Sequence, residues 1–383
     1  MVEPGSRPLV KLAVVSNEAQ LARLEKRFRL EELSLWCGRT SFQEVLRKRG
    51  IAFKVLDEFL LEDEWAEINA WGCGRAAAWI QFSRDRGLFR DLEFSSILNH
   101  RFSYFLIHLL KSYRYACRLM EHSEVSSFVI FRSLEAPPYP RYSTHFFVNS
   151  FLDELCREKG ADIETIDTGE SEGQVVPTPY RQSLKAWVRR LVGRVYGRVT
   201  GPPSRGLQVL AVGSLKRLGS ILEALQAKGF HAVLYDHSFQ FETYRNARRL
   251  KIAYLVPESI GRERRVSRES FVERYQAEIL DALSRASAEG LFQYQNVDFG
   301  SFLERYFLGD ARFRNYLEQC AEQANRYEDL LGKVKALGLV SDEDVTDKGS
   351  FLAGYFKWKG VPRFCISHAN MTVNFAVPES HQA

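Results

Sequence analysis

The sequence predicts an α/β fold with two Rossmann-like domains and mainly parallel sheets. One observation is that short apolar runs, typical of buried parallel strands, alternate with helical segments along the chain. A second is the length of 383 residues, which exceeds one ordinary core and fits two domains. A third is a basic stretch with proline and glycine on both sides near the middle of the chain. We therefore predict domains over residues 1–172 and 207–383, joined by a basic connector helix over residues 173–206.

The elements of the first domain follow from apolar runs and from hydrophobic periodicity. Strands are predicted where apolar runs end in polar turns, at residues 11–16, 51–55, 128–131 and 161–166. Helices are predicted at residues 18–27, 56–88, 102–120 and 146–155. The turn after the first strand, VVSNEAQ, lacks the spacing G-x-G-x-x-G, so no dinucleotide fingerprint is expected there.

The second domain repeats this alternation of strands and helices. Strands are predicted at residues 207–212, 232–235, 253–256, 338–340 and 363–366. Helices are predicted at residues 214–228, 263–288, 302–331 and 348–359, and the last of these ends at a glycine followed by a proline two residues later.

The two halves of the chain share several local patterns. Leu92–Leu98 resembles Val297–Leu303, and each half has a Lys-Gly pair before a strand, at Lys159-Gly160 and Lys359-Gly360. An internal duplication explains these matches, and so does the general likeness of α/β domains to one another. The sequence leaves both explanations open.

Composition and missing motifs exclude several classes of protein. Hydrophobic residues make up 45% and charged residues 26%, which is typical of a globular protein, and no apolar run reaches the roughly 18 residues of a membrane span. The six cysteines form no metal-ligand spacing, which favours reduced thiols in the cytoplasm, and we expect no metal or other cofactor. A P-loop, a G-x-S-x-G elbow, an H-E-x-x-H motif and the kinase motifs are all absent from the sequence. Their absence argues against an ATPase, a serine hydrolase and a zinc protease.

An acidic turn follows the predicted strand at residues 338–340. Ligands of open parallel sheets bind outside the carboxyl ends of the strands, so this turn lies at the expected ligand edge. We predict Asp342 and Asp344 as candidate catalytic bases and Ser341 as a substrate-binding residue. The alternative is a solvated loop whose polar side chains cap the next helix.

A second polar turn follows the last predicted strand, at residues 363–366. His368 is a candidate catalytic base or anion ligand, and Ser367 and Asn370 are candidate substrate-binding residues beside it. A loop histidine that hydrogen-bonds to the backbone is an equally good interpretation.

The corresponding turn of the first half is a weaker candidate. Arg132 and Glu135 follow the strand at residues 128–131, and we predict them as substrate-binding residues. The proline-rich loop after them suits a binding surface or a stiff turn.

The connector is basic on one side and apolar on the other. No acidic residue occurs between Gly173 and Leu222. A polar face rich in arginine opposite tryptophan and aliphatic residues is typical of an interfacial helix, so contact with an anionic membrane is predicted. The alternative is packing of the apolar stripe on a neighbouring domain; no nucleic-acid-binding module is recognisable. The predicted membrane-contact residues are Arg181, Lys185, Trp187, Arg189, Arg190 and Arg194.

With these residues in view, the second half resembles the N-terminal domain of GT-B glycosyltransferases of bacterial surface polysaccharide biosynthesis. The match covers residues 207–371 and uses three segments: LVSDED at 339–344, KGVP at 359–362 and CISHA at 365–369. They are similar to the family's Ser/Asp-containing turn, its Gly-Val-Pro or Gly-Ile-Pro strand and its Gln-His-Gly motif. Ser367 and Ala369 stand where that motif has glutamine and glycine.

The resemblance implies transfer of a sugar from a nucleotide sugar to a glycan or lipid-linked acceptor, without an obligatory metal, at the cytoplasmic face of a membrane. Such enzymes carry a further Rossmann-like, donor-binding domain after this motif, whereas 15 residues follow His368 here. The donor domain is therefore missing from this chain, or the two halves are themselves the two lobes. The alternative function is a non-catalytic α/β binding or scaffold protein.

Overall fold

The computed structural model contains two parallel five-stranded sheets flanked by helices, which confirms the predicted α/β fold with two Rossmann-like domains. Among the residues that the structure describes, no helix is long and apolar enough to cross a membrane. The described residues are 10–122, 125–132, 144–167, 206–257, 260, 267–308, 311–342 and 347–366.

The first sheet has the strand order β3-β2-β1-β4-β5, with every neighbouring pair parallel. Its central strand β1 is buried because valine, leucine and alanine fill it, and a core cluster that includes Leu21, Leu24 and Leu46 covers one face. The strands are β1 (Val10–Val14), β2 (Leu33–Cys37), β3 (Lys54–Val55), β4 (Val125–Arg132) and β5 (Asp162–Asp167).

The helices of the first half begin with α1, whose N-cap Asn17 accepts a hydrogen bond from the Gln20 N–H at 2.8 Å. Short 3₁₀ turns occupy Leu30–Glu32 and Leu56–Phe59. Strand β2 and helix α2 were not predicted, because LSLWC is a short run between charged and polar segments. The helices are α1 (Glu18–Arg27), α2 (Thr40–Lys48), α3 (Glu62–Asp85), α4 (Phe94–Ile97), α5 (Asn99–Met120) and α6 (Thr144–Lys159).

The second sheet has the order β12-β11-β6-β7-β8, again with parallel neighbours. Counted from its own first strand, this is the same order as in the first sheet, so the two halves share their topology as well as their local patterns. The strands are β6 (Gln208–Val212), β7 (His231–Tyr235), β8 (Ala253–Leu255), β11 (Ala336–Ser341) and β12 (Arg363–Cys365), with an antiparallel hairpin of β9 (Gln293–Tyr294) and β10 (Val297–Asp298) between them.

The helices of the second half run back from the carboxyl ends of these strands. Leu218 and Leu222 of α7 are buried in a core cluster with Val209 and Leu234 of the sheet. A π-helical turn at Leu303–Leu308 follows the short helix α10. The helices are α7 (Leu215–Ala227), α8 (Phe241–Arg249), α9 (Arg268–Ala288), α10 (Gly300–Phe302), α11 (Ala311–Lys333) and α12 (Asp347–Trp358).

The chain divides into two compact units, and each of them is made of two separate stretches of the sequence. The first contains Met1–Arg75 and Phe102–Val176, and the second contains Ala76–Arg101 and Pro177–Ala383. The predicted division into residues 1–172 and 207–383 places Ala76–Arg101 in the first domain, so it differs from this one. Residues 173–205 of the predicted connector lie outside the described residues.

The segment Ala76–Arg101 is tied to the second unit by its own side chains. Phe94 is fully buried, and its ring centroid lies 4.6 Å from that of Tyr275 and 6.4 Å from that of Phe351. Arg86 forms an ion pair with Glu289 at 2.5 Å. Apolar burial and charge pairing therefore both assign this segment to the second unit.

Candidate functional site

The strongest candidate site lies at the topological switch point of the second sheet. Strand β6 leads through α7 to β7 on one side, and β11 leads through α12 to β12 on the other. The connections after β6 and β11 therefore leave on opposite sides, and the crevice expected for ligands of an open parallel sheet lies between these two strand ends. Gly213-Ser214 follow β6 and Ser341-Asp342 end β11 at this position.

Asp342 directly follows β11 and is buried, with 2% of its surface exposed. The Ser214 N–H donates to its two carboxylate oxygens at 3.3 and 3.2 Å, and the Arg217 guanidinium lies 3.6 Å away. Ser214 is the N-cap of α7 but makes no side-chain capping bond, so the carboxylate of Asp342 supplies the acceptor at this positive helix end. Through these contacts Asp342 holds the N-terminus of α7. A catalytic role for Asp342 stays a prediction.

Gly213 makes room for that carboxylate. Its φ is +136°, a conformation that side-chain-bearing residues rarely adopt, and a Cβ at this position would lie 2.6 Å from Asp342 Cγ. A glycine directly after the apolar strand β6 is therefore required for the turn and for the approach of Asp342.

Asp236 lies at the end of β7, one strand away from the switch point. The Tyr254 hydroxyl donates to its Oδ2 at 3.0 Å, and the Ser238 N–H donates to its Oδ1 at 3.3 Å. Burial raises the pKa of Asp236, and the hydrogen bonds from Ser238 and Tyr254 oppose part of that rise. The carboxylate is thus fixed in orientation at the ligand edge of the sheet.

His237, the next residue, is half-buried beside two cations. Burial first, and then the charges of Lys348 and Arg326, lower the pKa of His237 to about 4. The imidazole is therefore neutral near pH 7, and its ring packs edge-on against Tyr235 at 5.5 Å between centroids. An anion bound between these cations would oppose the shift, because it would stabilise the imidazolium.

Three exposed cations lie near these strand ends: Arg217, in the first turn of α7, is beside Asp342, and Lys348, in the first turn of α12, and Arg326, on α11, are near His237. Two of them begin helices whose positive ends point toward the same edge. Positive side chains at helix N-termini beside a neutral histidine suit an anionic ligand such as a diphosphate. In the described part of the chain, no group of three His, Cys, Asp or Glu residues could hold a metal ion.

The other predicted site residues are only partly described. Ser341 is buried, and its carbonyl accepts from the Ile366 N–H at 2.8 Å. Arg132 belongs to the first unit, where its guanidinium pairs with Asp153 at 3.1 Å. The predicted residues Glu135, Asp344, Ser367, His368 and Asn370, and the predicted membrane-contact residues of the connector, lie outside the described residues.

The first unit contains a separate charged cluster at the end of β3. The ammonium group of Lys111 is buried, pairs with Asp57 at 2.8 Å and lies 3.8 Å from the centroid of the Trp65 ring. The Tyr115 hydroxyl donates to the same Asp57 oxygen. Burial lowers the pKa of Lys111, and the contact with Asp57 opposes part of that change. The ion pair joins the segment after β3 to α5.

Sequence reasoning overlooked Gly213, Asp236, His237, Arg217 and Lys348. Two of them could have been found from their positions at strand ends. Gly213 directly follows the strand LQVLAV, and Asp236 directly follows the strand AVLY. Their importance depends on the strand order, which brings β6 between β7 and β11.

Comparison with known proteins adds little. No protein family and no curated protein matches the chain. The chain is similar to a solved structure described as the adenylation, ketoreductase, and pseudo Asub multidomain structure of a keto acid-selecting NRPS module, at 9% identity and a TM-score of 0.20. That alignment covers 96% of this chain and 34% of the other, so this chain spans about a third of the other's length. A likeness of this size carries no conclusion.

Proposed function

We propose that the chain is a GT-B-like glycosyltransferase of surface polysaccharide or glycolipid assembly. It would transfer a sugar from a nucleotide sugar to a glycan or lipid-linked acceptor at the cytoplasmic face of a membrane. The proposal is supported by the pair of Rossmann-like units with the same strand order, since the two halves then correspond to the two lobes of such an enzyme.

The observation that carries the proposal is the set of three cations near the carboxyl ends of the strands in the second sheet. Transfer forms a bond between the acceptor oxygen and the anomeric carbon, and it breaks the bond to the diphosphate, which leaves with additional negative charge. Arg217, Arg326 and Lys348 would stabilise that charge. The acceptor proton would pass to a base, for which Asp342, Asp344 and His368 remain the candidates.

A non-catalytic binding or scaffold protein is the second candidate function. It is favoured by the contacts of Asp342, because a buried carboxylate that accepts from Ser214 and lies beside Arg217 is already engaged in holding α7. Such a protein would bind a nucleotide sugar without turning it over.

Thermal denaturation of the full chain with UDP-, GDP-, CDP- and dTDP-linked sugars tests the proposal. We expect one class of donor to raise the melting temperature. We also expect Lys348→Gln to weaken binding of that donor about tenfold, since one charged hydrogen bond is lost. Lys335→Gln is the matched control, because Lys335 is an exposed lysine of the same unit at the opposite end of the strands.

A transfer assay with labelled donor and membrane glycolipid extract separates the two functions. Labelled product supports the transferase, and tight donor binding without product supports the binding protein. If none of the four classes of nucleotide sugar shifts the melting temperature, both uses of the crevice are refuted.

A further inference from the structure

The amino-terminal edge of the second sheet, opposite the candidate site, has an unusual charge distribution. We call it the basic edge and define it as the last helical turn and following loop before β7, β8, β11 and β12, residues 224–230, 246–252, 330–335 and 355–362. It carries no acidic residue and eight basic ones, namely Lys228, Arg248, Arg249, Lys251, Lys333, Lys335, Lys357 and Lys359.

Helix dipoles alone do not explain this composition. Cations near helix C-termini are favourable by a few tenths of a kcal/mol, up to about 1 kcal/mol, in any α/β unit. The four corresponding connections of the first sheet also contain basic residues, yet they contain six acidic ones, namely Glu25, Glu31, Glu32, Glu121, Glu124 and Glu158. The absence of acidic residues is therefore specific to the second unit.

Acidic groups just outside the basic edge neutralise part of it. Glu328 accepts from Lys359 at 2.7 Å and from the Tyr355 hydroxyl at 2.6 Å, and Glu93 lies 3.5 Å from Lys357. Asp329 lies one helical turn before Lys333. The edge keeps an excess of positive charge, because its other basic side chains are exposed, namely Lys228, Arg248, Arg249, Lys251 and Lys335.

Large apolar side chains are exposed at the same edge. Leu207 is 54% exposed, Leu337 is 49% exposed and Trp358 is 40% exposed. Leu337 lines an open cavity of about 680 Å³ together with lysines 333, 335 and 359, and the Trp358 ring lies 4.0 Å from the Lys359 ammonium. Exposed leucine and tryptophan are thus interspersed with lysine on one surface.

We propose that the basic edge docks on an anionic lipid bilayer. Lysine attracts anionic headgroups, tryptophan prefers the membrane interface, and leucine gains by leaving water, so this composition fits a bilayer surface. A nucleic acid would use the charges but would leave Leu207 and Leu337 in water. The predicted membrane-contact connector joins the unit at this edge, since β6 begins at Gln208.

Flotation of the full-length protein with vesicles tests the proposal. We expect binding to vesicles of phosphatidylcholine and phosphatidylglycerol, no binding to phosphatidylcholine alone, and weaker binding as salt is raised. The double variant Lys333→Gln, Lys335→Gln is expected to reduce partitioning about 30-fold, at about fivefold for each lysine near an anionic surface. The matched control is Lys26→Gln, Lys48→Gln, which removes two exposed lysines from helix ends of the first unit.

Leu337→Ser separates a bilayer from other polyanions. Because Leu337 is half-exposed, the variant is expected to keep its circular dichroism spectrum and to lose several-fold in vesicle binding. Vesicle binding by the double lysine variant equal to that of the wild type refutes the proposal. The proposal is also refuted if the protein binds an oligonucleotide but not anionic vesicles, and if the double lysine variant abolishes that oligonucleotide binding.

Discussion

Replacing Gly213 with alanine is expected to destabilise the second unit by about 4 kcal/mol. A residue other than glycine at a φ of +136° costs on the order of 1–3 kcal/mol. The new Cβ would also displace the Asp342 carboxylate from the Ser214 N–H, and a buried acceptor that loses its partner costs about 1–3 kcal/mol. Domains of this kind are stable by about 5–15 kcal/mol, so the loss is a large fraction of the total.

Thermal denaturation followed by circular dichroism measures this effect. One kcal/mol shifts the melting temperature by about 2–4 °C in a unit of this size, so we expect a decrease of about 12 °C. Gly229→Ala is the matched control, because Gly229 has a φ of +87° and no atom within 4 Å of an added Cβ. It carries only the backbone cost of about 1–2 kcal/mol.

A double-mutant cycle identifies the cause. In the double variant Gly213→Ala, Asp342→Ala, no carboxylate opposes the new Cβ, so the glycine substitution costs only its backbone part. We expect a coupling energy of about 2 kcal/mol between the two positions. The role of this contact would be refuted if the stability losses of the two substitutions were additive. It would also be refuted if Gly213→Ala had the same melting temperature as Gly229→Ala.

Three further predictions concern single side chains. His237 has a pKa of about 4 in the folded chain against an ordinary 6.5, so the unfolded chain binds more protons between these values. Stability should therefore fall as pH drops from 6.5 to 4, and His237→Gln should reduce that decline in urea unfolding at several pH values. Asp57→Ala leaves the buried Lys111 ammonium without its carboxylate and should cost about 2 kcal/mol by urea unfolding, more than Lys111→Met; equal losses contradict this. Gly354→Ala places a Cβ 2.5 Å from a packed isoleucine and should cost about 2 kcal/mol, whereas Gly332→Ala meets no atom and should raise the melting temperature slightly.

The strands were predictable from the sequence because buried parallel strands are continuous apolar runs. Residues 128–131 and 338–340 were predicted as strands and lie within Val125–Arg132 and Ala336–Ser341. Leu33–Cys37 was missed, since its five residues become a strand by pairing with β1, and this pairing is not a local property. The assignment of Ala76–Arg101 to the second unit was also missed. It depends on the contacts of Phe94 with Tyr275 and Phe351, which are distant in sequence.

The candidate site was predictable only in part. The position of Asp342 followed from the rule that ligands bind at strand ends, and the structure places it at such an end. Its partner Ser214 is 128 residues away, so the contact exists only once the sheet order is known. The low pKa of His237 follows first from its burial and then from the charges of Lys348 and Arg326, which come from two different helices, so it too depends on the folded arrangement.

The discontinuous second unit has a consequence for synthesis on the ribosome. Its first segment, Ala76–Arg101, emerges early, yet Phe94 packs against Tyr275 and Phe351 near the other end of the chain. Domains generally fold as units, the amino-terminal ones first, at about 5–20 residues per second of synthesis. The helix that carries Phe94 must therefore wait on the order of ten seconds or more for its partners. During that time Phe94 has neither of these rings to pack against, so the core of the second unit can be completed only late in synthesis.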